Sequence, residues 1–280
     1  MYQYIIDKVY EGKTIKEYLE SFYLSSNKIN RIINEKGFLI NGVIVDKNTK
    51  LKYNDILMIT DKVFNEKKVE PIYKEIEILY EDEHLLVVNK DKNLIIHSDK
   101  DEATLDRIIA GLMMKRGLDP IPRHIYRLDR DTTGCMVYAL DPLTLSYLSN
   151  KVFTKELEKI YTTIIEGKVE QNQGTIDQPI STHRHINGMM TVAKNGKPSI
   201  THYNVKKVVA NRSLLEVKLE TGRTHQIRVH MSNSLFPVVG DKMYGSKVNC
   251  DLMLQASSLT LVHPVNKKRL TIKVSHQISL

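Results

Sequence analysis

Long strand-like segments with few helical ones between them dominate this 280-residue chain. Over residues 72–280 the β-rich segments 160–165, 200–209 and 214–219 follow one another, and helical patterns such as 104–114 only interrupt them. The regular strand–helix–strand alternation of a doubly wound parallel sheet is not present. The pattern therefore predicts an α+β fold whose main sheet is mixed and largely antiparallel.

Residues 1–60 differ in pattern and predict a separate, small N-terminal α/β domain. Apolar side chains recur there at three- and four-residue spacing, first from Ile15 to Phe22 and then from Ile29 to Ile33, which is typical of two amphipathic helices. The turn Asn41-Gly42 lies between two short apolar runs and indicates a β-hairpin. Residues 61–71 are charged and end in a proline, so we expect a linker before a second domain over 72–280.

Composition excludes several classes of protein. The only cysteines, Cys135 and Cys250, cannot form a disulfide framework or an all-cysteine metal cluster. No apolar run approaches the roughly 18 residues of a membrane-spanning helix, and residues 1–8 carry no hydrophobic signal segment. We therefore expect a cytoplasmic protein that does not contact membranes.

The net charge of +8 is unevenly distributed along the chain. Residues 178–280 contain 15 Lys and Arg against 4 Asp and Glu, a net charge of +11, whereas residues 1–177 carry −3. A one-sided positive surface favours a polyanionic partner such as nucleic acid. The alternative is a solvated basic face that aids solubility.

The first candidate for chemistry is the string RLDRDTTG at residues 127–134. Asp129 and Asp131 lie there among Arg123, Arg127 and Arg130, and neighbouring guanidinium groups favour the ionised form of a carboxylate. An ionised aspartate can act as a nucleophile or a base. A loop with surface ion pairs, each contributing little to stability, is the alternative.

The second candidate is the string ETGRTHQIRVH at residues 220–230. A helix beginning near Thr224 would place His225 and Arg228 on one face, and Arg228 could then pair with a carboxylate elsewhere. His225 and His230 are poorly spaced for a metal site on a helix, so we expect no metal.

In the third candidate, Tyr161 occupies a strand where it could stack on a base or be a core tyrosine.

Five strings in a fixed order resemble the family of RNA pseudouridine synthases that modify large-subunit ribosomal RNA and some tRNAs. Residues 1–60 resemble, more loosely, the small RNA-binding domain first known from a small-subunit ribosomal protein (S4). The five strings are YEDEHLLVVNK at 80–90, RLDRDTTG at 127–134, LETGRTHQIRVH at 219–230, GDKMYG at 240–245, and the segment from LQA at 254–256 to His263-Pro264.

This resemblance implies roles for individual residues. Asp129 matches the catalytic aspartate, Tyr161 the tyrosine that packs on the uracil, and Arg228 the arginine that pairs with the aspartate. Arg127 matches the arginine that enters the RNA helix where the target base leaves, and here it follows Tyr126 where the family commonly has histidine. The remaining residues that we expect to bind RNA are Arg223, His225 and Gln226 in the catalytic domain and Lys28, Arg31 and Lys36 in the N-terminal domain.

The implied activity is isomerisation of uridine to pseudouridine in structured RNA, with no cofactor and no metal. Ribosomal RNA is the expected partner and tRNA the alternative, and we expect a monomer. Asp129 could attack the anomeric carbon or remove a proton from the neighbouring sugar carbon, and the sequence leaves both routes open. Two other interpretations also stay open, namely a non-catalytic RNA-binding or ribosome-assembly factor and a glycosidase that uses Asp129 and Asp131.

Overall fold

A computed structural model describes residues 1–64 and 66–280 of the chain. Its first 60 residues form a four-stranded antiparallel sheet with two short helices, and we call them the N-terminal unit. In the sheet the strands follow the order β1-β4-β2-β3. The elements are β1 (Tyr2–Ile5), α1 (Ile15–Ser21), α2 (Ser26–Asn34), β2 (Phe38–Ile40), β3 (Val43–Ile44) and β4 (Ile56–Ile59).

Local sequence signals explain the helices and the hairpin of the N-terminal unit. Thr14 begins α1 with a capping box, because its hydroxyl accepts the Glu17 backbone N–H and the Glu17 carboxylate accepts the Thr14 backbone N–H. The Ser25 hydroxyl caps α2 in the same position. Asn41 and Gly42 both adopt positive φ in the turn between β2 and β3, as this type of hairpin requires.

Residues 72–280 form the larger unit, which contains ten strands of one sheet, a separate two-stranded hairpin and three helices. The strands of the large sheet are β5 (Glu77–Glu81), β6 (Leu85–Lys90), β7 (Arg123–His124), β8 (Thr133–Ala139), β9 (Glu158–Ile165), β10 (Gln173–Asp177), β13 (Ile200–Val209), β14 (Arg212–Leu219), β15 (Leu254–Val262) and β16 (Arg269–Lys273). The remaining elements are the hairpin strands β11 (Ile180–Thr182) and β12 (Met190–Val192), and the helices α3 (Leu105–Lys115), α4 (Pro142–Phe153) and α5 (Gln226–Ser234).

The large sheet runs in the order β10-β13-β14-β9-β15-β8-β6-β5, with β16 on β15 and β7 on β8. Among the described residues every pairing is antiparallel except that of β15 with β8. The predicted α+β class with a mixed, mainly antiparallel sheet is therefore confirmed. The sequence pattern did not predict β1, β7, β10 to β12, β15 or β16.

The single parallel pairing brings two distant parts of the chain together at the centre of the sheet. Gly134 at the start of β8 pairs with Ala256 of β15 and has a φ of +111°. A Cβ atom at Gly134 would lie 2.2 Å from the Ala256 carbonyl oxygen, so only glycine fits this close approach. The loop that precedes β8 is thereby fixed beside β15 and β9.

The N-terminal unit packs directly against the larger unit. Buried side chains of both units belong to one continuous hydrophobic core. The Tyr4 hydroxyl donates to Asp141 Oδ1 at 3.1 Å, and the Tyr10 hydroxyl donates to the Pro264 carbonyl at 3.2 Å. The Lys267 ammonium lies 5.2 Å from the centre of the Phe22 ring.

The expected linker is also attached to the larger unit. The Glu66 carboxylate accepts hydrogen bonds from Nε and Nη2 of the buried Arg123 at 2.5 and 2.7 Å, and the Val69 N–H donates to the Pro120 carbonyl at 2.8 Å. The Tyr2 hydroxyl of the N-terminal unit donates to the Glu66 carboxylate at 2.5 Å and accepts from Nη2 of Arg123 at 2.7 Å. These contacts connect the N-terminal unit, residues 66–71 and the larger unit.

Candidate active site

Asp129 lies in the loop that leads into β8, and a buried lysine holds this loop in place. Lys90 is fully buried and donates to the backbone carbonyls of Asp91, Leu94 and Arg130 at 2.7–2.8 Å. Burial lowers the pKa of Lys90 to about 8, although nearby carboxylates, Asp129 among them, favour its charged form. Because Lys90 hydrogen-bonds the backbone carbonyl of Arg130, the residue directly after Asp129, it fixes the backbone beside the carboxylate.

Arg228 approaches Asp129 from helix α5, but its closest partner is a different carboxylate. Nε and Nη2 of Arg228 donate to Asp241 at 2.7 and 2.8 Å, whereas Nη1 lies 3.8 Å from Asp129 Oδ2. Burial opposes the charge of Arg228, yet the hydrogen bonds and charges of Asp241, followed by the charge of Asp129, raise its pKa. The expected pairing of Arg228 with Asp129 is therefore a charge contact, and the bidentate partner is Asp241.

His225 approaches the same oxygen of Asp129 from the residue before α5. Its Nε2 lies 3.9 Å from Asp129 Oδ2, and its Nδ1 lies 2.9 Å from the Tyr244 hydroxyl. The sequence predicts a helix that begins near Thr224, and α5 begins two residues later, at Gln226. The cap position belongs to His225, which has a φ of +55° and makes no side-chain capping hydrogen bond.

Asp129, His225 and Arg228 lie in a cleft of about 540 Å³, a volume typical of a small-molecule pocket. Tyr161 of β9 lines the same cleft and is 5% exposed. Burial and the charge of Asp129 both raise the pKa of Tyr161, so its phenol is neutral. The cleft thus combines the Asp129 carboxylate, two nitrogen groups that face it, and a buried aromatic side chain.

The other residues expected to bind RNA differ in their surroundings. Arg127 and Arg223 line the cleft and are exposed, whereas Lys28, Arg31 and Lys36 are exposed on and just after α2 and do not line it. Gln226 also lines the cleft but is 2% exposed.

Internal hydrogen bonds occupy the whole amide group of Gln226. Its oxygen accepts from the Thr221 hydroxyl and the Arg223 N–H, and its nitrogen donates to the Ile200 carbonyl and the Thr201 hydroxyl, all at 2.9–3.0 Å. The Gln226 amide therefore has no free hydrogen-bonding group to offer RNA in this arrangement, and its expected contact with RNA stays a prediction. Its side chain supports the loop that carries Arg223 and His225.

Sequence reasoning missed several residues of this site. It singled out the string that contains Asp241 and Tyr244 without assigning either a role, and Lys159 and His97 also line the cleft. Lys159 shares a strand face with Tyr161 at period-two spacing, and its ammonium lies 4.3 Å from the centre of the Tyr126 ring. This spacing was the signal from which the sequence could have placed Lys159 in the site beside Tyr161.

Neither a metal-binding cluster nor a membrane span is found within residues 1–64 and 66–280. No three His, Cys, Asp or Glu side chains there are arranged to hold a metal ion. The His230 ring is fully buried and hydrogen-bonds Thr201 and the Gln178 carbonyl instead. No helix in this part of the chain has both the length and the apolar character for crossing a membrane.

Comparison with known proteins identifies the chemistry of the cleft. The family model described as RNA pseudouridylate synthase matches residues 84–233, a range that includes Asp129, Tyr161 and Arg228. The chain belongs to this family. Members isomerise uridine to pseudouridine in RNA, and the cleft described above is the candidate site for that reaction.

Individual relatives agree with the family assignment. The chain is 36% identical over 232 residues to "Uncharacterized RNA pseudouridine synthase YhcT" of Bacillus subtilis (strain 168), which covers 81% of this chain and 77% of the relative. It is 36% identical over 260 residues to "Ribosomal large subunit pseudouridine synthase D" of Buchnera aphidicola subsp. Baizongia pistaciae (strain Bp), covering 85% and 81%. The solved structure of human RNA Pseudouridylate Synthase Domain Containing 1 matches with a TM-score of 0.61 at 25% identity, covering 74% of this chain and 86% of that one.

Proposed function

We propose that this pseudouridine synthase modifies uridine in large-subunit ribosomal RNA. The observation that carries the choice of RNA is the similarity to ribosomal large subunit pseudouridine synthase D over 85% of the chain. The strongly basic segment 178–280 supports a large, structured polyanion as substrate. The protein would act as a monomer in the cytoplasm, with tRNA as the alternative substrate.

Mapping pseudouridine in total RNA from cells with and without the gene tests this choice. We expect at least one large-subunit position to lose its pseudouridine in the deletion strain and to regain it on complementation. A loss confined to tRNA would replace the proposed substrate. Unchanged pseudouridine throughout, together with defective subunit assembly, would favour a non-catalytic assembly factor.

Asp129 is the residue that we propose to act on the sugar. The reaction breaks the bond between C1′ and N1, turns the uracil and joins C5 to C1′, with no redox change and no net hydrolysis. An ionised carboxylate can attack C1′ or remove the proton from C2′. Two observations support Asp129 in this role, because it lines the cleft and its Oδ2 faces two nitrogen donors at 3.8 and 3.9 Å.

The substitution Asp129→Asn tests this assignment. Complementation of the deletion strain with Asp129→Asn should restore no pseudouridine, while RNA affinity stays close to that of the wild type. The neighbouring Asp131→Asn is the matched control and should restore modification. An active Asp129→Asn protein would exclude the proposed role.

Three further side chains complete the proposed site. Tyr161 would stack on the uracil, because its buried ring lines the cleft beside Asp129. Arg228 would keep Asp129 ionised and oriented. Arg127, exposed at the rim, would fill the space left by the flipped uridine, whose extrusion costs a few kcal/mol.

The N-terminal unit is proposed to be an S4-like RNA-binding domain, joined by residues 61–71 to a catalytic domain over 72–280. Lys28 and Arg31 lie three residues apart on α2, so they share one face of the helix, and both are exposed. Lys36 is also exposed, two residues beyond the helix end. Replacing all three by alanine should weaken RNA binding and reduce its salt dependence. A triple variant with wild-type affinity would contradict this role.

A further inference from the structure

Tyr244 forms a hydrogen-bonded pair with His225, which lines the cleft. The Tyr244 hydroxyl oxygen accepts the Met190 backbone N–H at 2.9 Å and lies 2.9 Å from His225 Nδ1. The tyrosine is 6% exposed and its ring centre lies 5.0 Å from the Arg228 guanidinium carbon, while the His225 side chain is 14% exposed. The pair is therefore a fixed structural feature behind Asp129.

The position of Met190 determines which nitrogen of His225 carries the proton. A backbone N–H can only donate, so the Tyr244 oxygen accepts from Met190 and its own proton is free to be donated to Nδ1. If Nδ1 carried the proton instead, the tyrosine proton would have no acceptor. The Nε2 lone pair would then face the negatively charged Asp129 carboxylate. His225 therefore carries its proton on Nε2, the atom that faces Asp129.

The imidazole is neutral in this environment. Burial lowers the pKa of His225, and the positive charge of Arg228 lowers it further, against the opposing effect of Asp129. The backbone at His225 also has a φ of +55°, which only a few per cent of non-glycine residues adopt and which costs free energy, although histidine is one of the residues that tolerate it best. Strain of this kind is retained where the surrounding structure forces a side chain into one position.

We propose that His225 donates a hydrogen bond from its Nε2–H to the uracil as the glycosidic bond breaks, and that Tyr244 is the positioning residue that fixes its tautomer. This inference rests on the proposed action of Asp129 at the sugar. When the C1′–N1 bond breaks, its electron pair leaves with the uracil, and the negative charge spreads onto the ring oxygens. The oxygen nearest to C1′ is O2, so a donor beside the group that acts at C1′ is well placed to reach it.

The 3.9 Å gap between His225 Nε2 and Asp129 Oδ2 is consistent with this role. The distance is too long for a hydrogen bond, as is the 3.8 Å distance from Arg228 Nη1 to the same oxygen. Both donors therefore keep capacity for a substrate atom that enters between them. No proton needs to be transferred in this step, because a neutral N–H stabilises the developing anion by hydrogen bonding alone.

Three variants test the pair under single-turnover conditions. The substrate is the RNA fragment in which mapping locates the modified uridine, labelled with tritium at C5, because formation of the new C5–C1′ bond releases that hydrogen. His225→Asn relieves the backbone strain and places an amide near Tyr244 but none at the Nε2 position, so we expect a rate roughly 100-fold lower. His225→Gln can place an amide N–H near that position and should retain more activity than His225→Asn.

Tyr244→Phe keeps the ring against Arg228 and removes only the hydroxyl, so we expect a rate about tenfold lower from an imidazole of mixed tautomer. The dissociation constant for RNA should stay unchanged in Tyr244→Phe, and His202→Asn, outside the cleft, should behave as the wild type. Wild-type rates in His225→Asn or Tyr244→Phe would overturn the inference, as would weaker RNA binding with an unchanged rate at saturation. An inactive wild-type protein would instead refute the proposed function.

Discussion

Charged and polar side chains are found both in the cleft and where the two units meet. They are hydrogen-bonded to one another where the units meet, whereas in the cleft Asp129 and the groups that face it are too far apart for hydrogen bonds. At the contact, the Arg123 guanidinium donates to Glu66, to the Tyr2 hydroxyl and to the Leu140 carbonyl at 2.5–2.9 Å. In the cleft, Asp129 faces its two cationic or polar neighbours only at 3.8–3.9 Å. Groups of the first kind are satisfied by the fold itself, whereas those of the second kind keep hydrogen-bonding capacity for a ligand.

Arg228 makes both kinds of contact, because part of its guanidinium group is hydrogen-bonded within the fold and part faces the cleft. Two of its nitrogens are used by the fully buried Asp241, and the third is directed at Asp129. A guanidinium group held through two nitrogens can present the remaining one in a fixed direction. The comparison therefore predicts that loss of Asp241 damages the fold, whereas loss of Asp129 damages only the chemistry.

The largest effect on stability is expected for Asp241→Asn. Removing this carboxylate leaves Arg228 buried without its partner, which should lower the free energy of unfolding by about 3–5 kcal/mol. Asp129→Asn is the matched variant and should change it by less than about 1 kcal/mol. Chemical denaturation of both proteins gives the two values, and equal losses would show that the cleft is as important to the fold as the buried pair.

A smaller but clear effect is expected for Glu66→Gln at the contact between the units. Arg123 would lose a charged acceptor while staying buried, at a cost of about 2–3 kcal/mol. Lys68→Gln is the control in the same segment, because its ion pair with Asp119 is exposed and should contribute less than about 0.5 kcal/mol. If Glu66→Gln and Lys68→Gln unfold at the same denaturant concentration, the contact is not a stabilising one.

The local patterns predicted much of the fold but not its connections. Capping signals at Thr14 and Asp141 and the Asn41-Gly42 turn act between neighbours in sequence, so the helices and the hairpin they mark were predictable. Strand β15 has its neighbours β8 and β9 about 100 residues away in the chain, and no local pattern encodes that pairing. The docking of the N-terminal unit was missed for the same reason.

In the site, motif order predicted which residues come together but not how they pair. Asp129, Tyr161 and Arg228 line one cleft as expected. The pairing of Arg228 with Asp241 and the internal use of the Gln226 amide depend on side-chain directions, which spacing does not specify. Whether a polar side chain is exposed to RNA or supports the fold depends on how deeply it is buried, and the sequence does not give its burial.

Tyr10→Phe should produce a modest loss of stability. Its hydroxyl donates to the Pro264 carbonyl within the buried contact, so removal leaves that carbonyl without this donor and should cost about 1 kcal/mol. Tyr53→Phe alters a tyrosine that is 53% exposed and should be neutral. Thermal unfolding of the two variants compares them directly, and a larger loss for Tyr53→Phe would contradict the docked arrangement.

The smallest effect, and one of opposite sign, is expected for Lys159→Met in the cleft. Among the described residues Lys159 has no carboxylate partner within ion-pair distance, and burial lowers its pKa to about 8. The substitution would remove this uncompensated charge and should raise the free energy of unfolding by up to about 1 kcal/mol near neutral pH, while RNA binding weakens.

The pH dependence identifies this charge as the cause. Between pH 8 and the ordinary lysine value near 10.5, the unfolded wild-type chain binds more protons than the folded one, so wild-type stability rises relative to the variant. The advantage of Lys159→Met should therefore shrink over that range and stay constant below it. A difference that does not change with pH would mean that Lys159 is solvated in the folded protein, and its charge would then cost the fold no free energy.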